Sequence, residues 1–368
     1  MSHTMNTPHI SNGVKHTLLI TGAAGYVGAM LCEQFSKRDD VQKIIGLDME
    51  EMPDFLHKYP QIQWVQANTS DGSWQSVVSK EKPDIVIHTA WQIRMLYGRN
   101  ETTWKWNVDG SRAVFDFAFG TESVQRLVHF STASLYGAYS TNTFDHLFKE
   151  DEPMREHEYL YGVEKIKAEE ELNDVVARAR GAGPLVAIVR PAAITGPRGR
   201  FMRIRFGLQS ALSGQLKGGV YGLVSALVSL VPATKGWVRQ FIHEDDVCDI
   251  VAMLSFDEWH GNRKEVFNIT PPGVPVYAPD MAKAVGKKVL PIQPWMARIA
   301  YFFFWHLTRG KIPTAPGSWR FYSYPIVMDG SKLSRVWGYR YQHSSLSAFV
   351  STEGRYEEAV PKEFRRRA

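Results

Sequence analysis

The chain has 368 residues, 44% of them hydrophobic and 22% charged, with a formal net charge of +5. That length buries a large core, and the composition is that of an ordinary water-soluble globular protein. Two distant cysteines, Cys32 and Cys248, and twelve histidines without HExxH-like spacing exclude a disulfide framework and give no metal site. Basic residues cluster only at Arg198, Arg200, Arg203 and Arg205 and in the tail Arg365 to Arg367, with no nucleic-acid motif beside them, so no nucleic-acid partner is expected.

Residues 1–16 form a polar tail without the apolar core of a secretory signal, which makes the cytoplasm the expected compartment. Thr17 to Ile20 reads as a strand and Ala29 to Lys37 as a helix, joined by Thr21-Gly-Ala-Ala-Gly-Tyr-Val-Gly28. Glycines at Gly22, Gly25 and Gly28 let the backbone turn and approach a pyrophosphate at the positive end of the helix. Lys43 to Asp48 is a second strand ending in an acid, twenty residues past Gly28. A carboxylate at that distance binds ribose hydroxyls, and Glu50 and Glu51 beside it would repel a 2′-phosphate, which favours NAD over NADP.

Trp64 to Ala67, Asp84 to Ala90, Arg126 to Phe130 and Leu185 to Val189 read as further strands. Helical segments at Ser73 to Lys80, Thr102 to Phe119 and Glu158 to Arg180 alternate with them. The order predicts an α/β fold: a Rossmann-type doubly wound parallel sheet over residues 17–197, with 237–254 returning to it. Residues 198–236 and 255–350 are expected to form a smaller C-terminal substrate-binding lobe, followed by a basic tail, 351–368.

No stretch reaches the roughly 18–20 apolar residues of a spanning helix. Gly218 to Ala233 and Ile299 to Leu307 come nearest and are expected to be buried or to line a pocket. The aromatic run Tyr301 to Trp305 and the basic tail leave a membrane-surface role as the alternative.

Tyr161 and Lys165 stand four residues apart, on one helical face. A tyrosine is a poor base at neutral pH, and a neighbouring lysine cation is expected to lower its pKa and make it a general base. Ser131, Thr132 and Ser134 follow the fifth strand, where a hydroxyl would orient a substrate oxygen.

Taken in order, these segments resemble the extended short-chain dehydrogenase/reductases, the group of NAD-dependent sugar-nucleotide epimerases and dehydratases and 3β-hydroxysteroid dehydrogenases. Thr21 to Gly28 is similar to the TGxxGxxG loop, Asp84 to Ala90 to DxVIHxA, and Asn107 to Ser111 to NVxGT. Leu127 to Gly137 resembles FVxxSSxxVYG, Tyr161 and Lys165 the YxxxK pair, Arg190 to Pro197 RPxxxxGP, and Arg239 to Val247 RDFIHVDDV. The resemblance implies catalysis by Tyr161, Lys165 and Thr132. It also implies an NAD site drawn from Gly22, Gly25, Tyr26, Val27, Gly28, Asp48, Asn68, Thr69, Thr89, Ala90, Asn107, Ser131, Tyr161, Lys165 and Pro191.

The resemblance gives Arg239 a grip on a substrate diphosphate, with Arg198 as a further contact and Thr132 on the substrate oxygen. Ala193 replaces an asparagine common in the sugar-nucleotide enzymes. That replacement weighs against a nucleotide sugar, and Arg239 weighs for it; a nucleotide sugar is favoured. An apolar secondary alcohol, suited to Leu223 to Val231 and Tyr301 to Trp305, is the alternative, and a non-catalytic NAD-sensing module stands behind both. Helices 102–119 and 158–180 are the family's dimer-forming pair, so a homodimer is implied.

Overall fold

The computed structural model describes residues 13–199, 230–284, 288–351 and 353–359. Arg200, Arg203, Arg205, most of the run 218–233 and the arginine tail lie outside the described residues. Seven parallel strands form the main sheet: β1 (His16–Thr21), β2 (Val41–Asp48), β3 (Ile62–Gln66), β4 (Ile85–His88), β5 (Arg126–Phe130), β6 (Leu185–Pro191) and a last strand, Lys264–Ile269. Their spatial order is Lys264–Ile269, β6, β5, β4, β1, β2, β3. The direction of winding reverses between β1 and β4, and in such sheets the crevice beyond the carboxyl ends at that reversal is where ligands bind.

Alternation along the strands assigns side chains to two faces. Leu18, Ile20, Ile44, Ile85, Ile87, Val128, Ala187 and Val189 pack on one side with α1 (Tyr26–Phe35). Leu19, Ile45, Val86, Leu127, Val186 and Ile188 pack on the other, against Val114 and Phe115 of the helix Gly110–Gly120 and Leu172 of the helix Leu160–Arg178. Each fully buried Leu or Ile on these two faces contributes about 1.5–3 kcal/mol of stabilisation.

Helices join the strands as the periodicity predicts, with three instructive differences. The helix expected over 102–119 runs as α2 (Asn100–Trp104), a π-turn (Lys105–Asp109) and α3 (Gly110–Gly120). The helix expected from Glu158 begins later, as α4 (Leu160–Arg178). Glu156 explains this: its Oε1 accepts the backbone N–H groups of His157 (3.0 Å), Glu158 (2.8 Å) and Tyr159 (2.9 Å), holding them outside the helix.

The third difference is at the sheet edge. The expected return to the sheet ended at residue 254, yet Lys264–Ile269, placed in the lobe by sequence, pairs with β6 from Lys264↔Val186 to Ile269↔Pro191. Between them, β7 (Ala193–Thr195) pairs with Phe241–His243, and α5 (Glu244–Phe256) packs on the sheet.

Beyond the sheet, α6 (Ala278–Ala284) and α7 (Pro294–Leu307) belong to the remainder. The expectation that Ile299 to Leu307 is buried or lines a pocket is met by Trp305, which is buried, and by Ile299, Tyr301, Phe302, Phe303, Trp305 and His306, which line a pocket. Trp305 is buried and Tyr301 partly so, while Ile299, Phe302, Phe303, Phe304 and Leu307 are exposed. No helix among the described residues is long and apolar enough to cross a membrane.

Candidate active site

The glycine loop lies at the winding reversal. Gly22 has φ +71°, and a Cβ there would stand 2.5 Å from the backbone nitrogen of Ala90. Only glycine permits both the left-handed turn and the close approach. A Cβ on Gly28 would press into the Gly22 carbonyl and stand 2.9 Å from the Ala23 Cα. Gly25 caps α1 and donates its N–H to the Gly22 carbonyl at 3.0 Å. Val27 packs against the core, and the Tyr26 hydroxyl donates to Glu244, whose carboxylate also accepts the backbone N–H groups of Arg198 (3.0 Å) and Gly199 (2.9 Å).

Asp48 ends β2 beside this loop. One carboxylate oxygen accepts the Ala24 N–H at 2.9 Å and the other the Glu50 N–H at 3.0 Å. Asn68 caps the following turn through the Ser70 N–H (2.9 Å), and buried Thr69 accepts the Trp74 indole N–H at its carbonyl (3.0 Å). Thr89 donates to the Thr21 carbonyl at 2.7 Å, which keeps β4 and the loop in register.

The catalytic candidates converge at the ends of β5 and α4. The Thr132 side chain stands close enough to the Tyr161 hydroxyl to favour its ionised form. Lys165 is buried, donates to the Phe130 carbonyl, and lies 3.5 Å from the centre of the Trp91 ring. That ring meets Tyr161 edge-on with centroids 6.4 Å apart.

The lysine was expected to depress the tyrosine pKa. Burial instead raises Tyr161, with the Thr132 side chain opposing, and burial also pulls Lys165 well below the usual lysine range. A cation that is itself suppressed by desolvation lends its neighbour little stabilisation.

The π-turn explains Asn107. It donates to Glu164 at 2.7 Å and to the Gln92 carbonyl at 3.2 Å, and accepts the Gln92 N–H at 2.7 Å. One side chain therefore ties the Trp91–Gln92 loop to α4. Burial raises Glu164 to about 7, opposed by the Asn107 hydrogen bond and the Lys165 charge. Trp91 and Glu164 were both missed in the sequence, although Trp91 directly follows the Asp84–Ala90 strand and Glu164 stands within the Tyr161–Lys165 segment.

Arg239 is partly buried, lies over the Tyr322 ring at 5.1 Å, and pairs with no carboxylate among the described residues. It lines a small cleft with Ala133, Ser134, Ala193, Phe321, Tyr324 and others. Arg198 does not join it: its guanidinium stands 3.7 Å from Glu33 and 4.3 Å over Phe55, against α1. Pro191 is the last residue of β6, after Arg190, which is locked in a buried pair with Glu169 at 2.6 Å. A larger pocket of ≈ 630 Å³ opens beside α7, between Phe302, Trp305, Gly317 and Arg320. Neither lining includes Tyr161, Thr132 or Lys165; the smaller cleft carries Arg239 and reaches Ala133 and Ser134, which directly follow Thr132 in the chain.

With this geometry in place, the sequence profile of the NAD dependent epimerase/dehydratase family matches residues 18–270. The chain belongs to the NAD dependent epimerase/dehydratase family. Among curated relatives of this family member, the Candida albicans sterol-4-alpha-carboxylate 3-dehydrogenase (decarboxylating) is 28% identical over 192 residues, 50% of this chain and 52% of that one. An uncharacterised Methanocaldococcus jannaschii protein is 25% identical over 153 residues, 37% of this chain and 46% of that one. The chain thus spans about half the length of the curated relatives it matches.

Solved structures of NAD complexes share the fold. The Bordetella bronchiseptica enzyme WbmG in complex with NAD has TM-score 0.66 at 20% identity, covering 92% of this chain and 93% of that one. The Bacillus cereus UDP-glucuronic acid 4-epimerase in complex with NAD has TM-score 0.64 at 17% identity, covering 91% and 96%.

The residues present fit the family's dinucleotide. Gly22 and Gly28 leave a cradle that a Cβ would fill, and the Ser131 hydroxyl is buried at the end of β5 with no hydrogen-bond partner. An orphaned buried hydroxyl is uncommon and marks a place for a polar ligand group.

Proposed function

We propose that this family member oxidises a secondary alcohol with NAD, using Tyr161 as base, Thr132 to hold the substrate oxygen and Lys165 to hold the cofactor ribose. The observation that carries this reading is the convergence of Tyr161 and Thr132, with Lys165 one turn further along the same helix and the glycine cradle at the winding reversal of the sheet. Bound NAD would supply the hydride acceptor and a positive ring that favours the phenolate. Gly22, Gly25 and Gly28 would seat its pyrophosphate, and Asp48 the adenosine ribose. Tyr161 then takes the hydroxyl proton, and Thr132 keeps the oxygen in place as its carbon becomes trigonal.

A nucleotide sugar is the first substrate class. Arg239 supports it, since a partly buried guanidinium without a carboxylate partner among the described residues favours an anionic group. A second reading, an apolar alcohol bearing an acid group, is supported by the aromatic and aliphatic lining at Phe321, Tyr324, Ile326 and Met328, and by Ala193. The Candida relative, named for a sterol carboxylate, lends weight to that reading. A homodimer through α3 and α4 and a cytoplasmic setting complete the proposal.

Mass spectrometry of small molecules carried through purification tests the substrate class, with nucleotide sugar expected. Single-turnover absorbance at 340 nm with candidates from both classes tests the chemistry. Reduction with neither class would leave NAD sensing as the function.

A further inference from the structure

The helix α7 presents the wrong face to solvent for an ordinary surface helix. Ala297, Tyr301 and Trp305, four residues apart, turn inward. On the opposite side Trp295 is 61% exposed, Phe302 61%, Phe303 63% and Leu307 81%, with Met296 and Ile299 between them. Positions 295, 299, 302, 303 and 307 form one stripe at helical spacing, so these side chains make a continuous apolar face. Immersing one such side chain gains about 1.5–3 kcal/mol, which makes a stripe of this size costly in water.

Charge surrounds this face with a single sign. From residue 281 to 328 the sequence has seven Lys or Arg residues and no Asp or Glu. Arg298 lies on the helix itself, and Arg309 and Lys311, both exposed, follow its end. The neighbouring carboxylate, Glu158 of the adjoining pocket, is already paired with Arg320. A helix of fourteen residues is too short to span a bilayer. A Trp/Phe/Leu face beside cations instead matches a helix lying in the interface of an anionic bilayer.

We propose that α7 docks the protein reversibly on anionic phospholipid membranes, with Trp295, Phe302, Phe303 and Leu307 immersed and Arg298, Arg309 and Lys311 at the headgroups. This surface is independent of the substrate reading, since it includes neither Tyr161 nor Arg239. A second copy of the chain laid on this face would set the same cations against one another, whereas an anionic bilayer complements them.

The test is co-sedimentation of the full chain with phosphatidylcholine vesicles with and without phosphatidylserine. Expected are binding to the phosphatidylserine vesicles, a blue shift of tryptophan emission on binding, and at least about tenfold weaker binding for Arg309→Glu/Lys311→Glu, at roughly a kcal/mol for each cation near the surface. Phe302→Asp/Phe303→Asp should abolish binding while leaving the circular dichroism spectrum unchanged, because both side chains are exposed. Absence of binding to either vesicle overturns the proposal. So does a wild-type dimer that Phe302→Asp/Phe303→Asp converts to monomer while vesicles leave the wild type unbound.

Discussion

The Lys165 ammonium sits 3.5 Å from the centre of the Trp91 indole ring, inside the segment that carries Tyr161. A protonated amine here would gain at most about 2 kcal/mol from this cation–π contact, and burial, which pulls the Lys165 pKa down, reduces that gain. Trp91 is thereby the lid over the one cation of the Tyr161–Lys165 pair. Trp91→Leu should lower the unfolding free energy by no more than about 2 kcal/mol through this contact in urea titrations. It should also remove most of the fluorescence change that NAD addition causes in the wild type. An unchanged fluorescence response would show that NAD does not meet this ring.

Tyr161→Phe keeps the ring packed against Trp91 and Tyr159 and deletes only the hydroxyl that meets Thr132. Loss of the base should cost about 10²–10⁴ in the single-turnover hydride-transfer rate, with NAD affinity retained. Wild-type rates in this variant would sink the assigned mechanism.

Arg239→Ala separates an anionic substrate, whether a nucleotide sugar or an apolar alcohol bearing an acid group, from a neutral apolar alcohol. With an anionic substrate the expected result is a KM raised by at least about tenfold and little change in thermal stability, because no carboxylate is left behind. A neutral apolar alcohol would turn over with unchanged KM, and that result would remove the nucleotide sugar.

Glu164 makes stability depend on pH. Its carboxyl is raised from the ordinary 4.5 to about 7 by burial, so between those values the folded state holds a proton that the unfolded chain has released. Stability from this group is therefore complete below about pH 4.5, falls as pH rises, and levels off above about pH 7. Glu164→Gln should remove that fall, a gain of at most about 3 kcal/mol at pH 8 and none near pH 4. Denaturant melts across this range measure it; parallel curves for the variant and the wild type would refute the assignment.

Glu169→Ala breaks the buried pair with Arg190, which also donates to the Tyr136 hydroxyl at 2.9 Å. An uncompensated buried guanidinium should cost about 3–5 kcal/mol, read as a lower urea midpoint.

The order of strands and helices, the glycine cradle, Asp48 and the Tyr161–Lys165 spacing were all legible in the sequence. Each rests on local chemistry: hydrophobic runs of strand length, glycines where a backbone turns left-handed, and two side chains one helical turn apart. Tertiary structure decided the rest. Lys264–Ile269 reads as an ordinary mixed segment until β6 offers it a full parallel register, and Arg198 reads as a free cation until α1 brings Glu33 to it. The direction of the Tyr161 and Lys165 pKa shifts depends on burial, which no spacing encodes. Nor could periodicity alone say which way α7 faces. A helix apolar on every side has no preferred orientation in sequence, and only its packing on Ala297, Tyr301 and Trp305 leaves the other stripe in water.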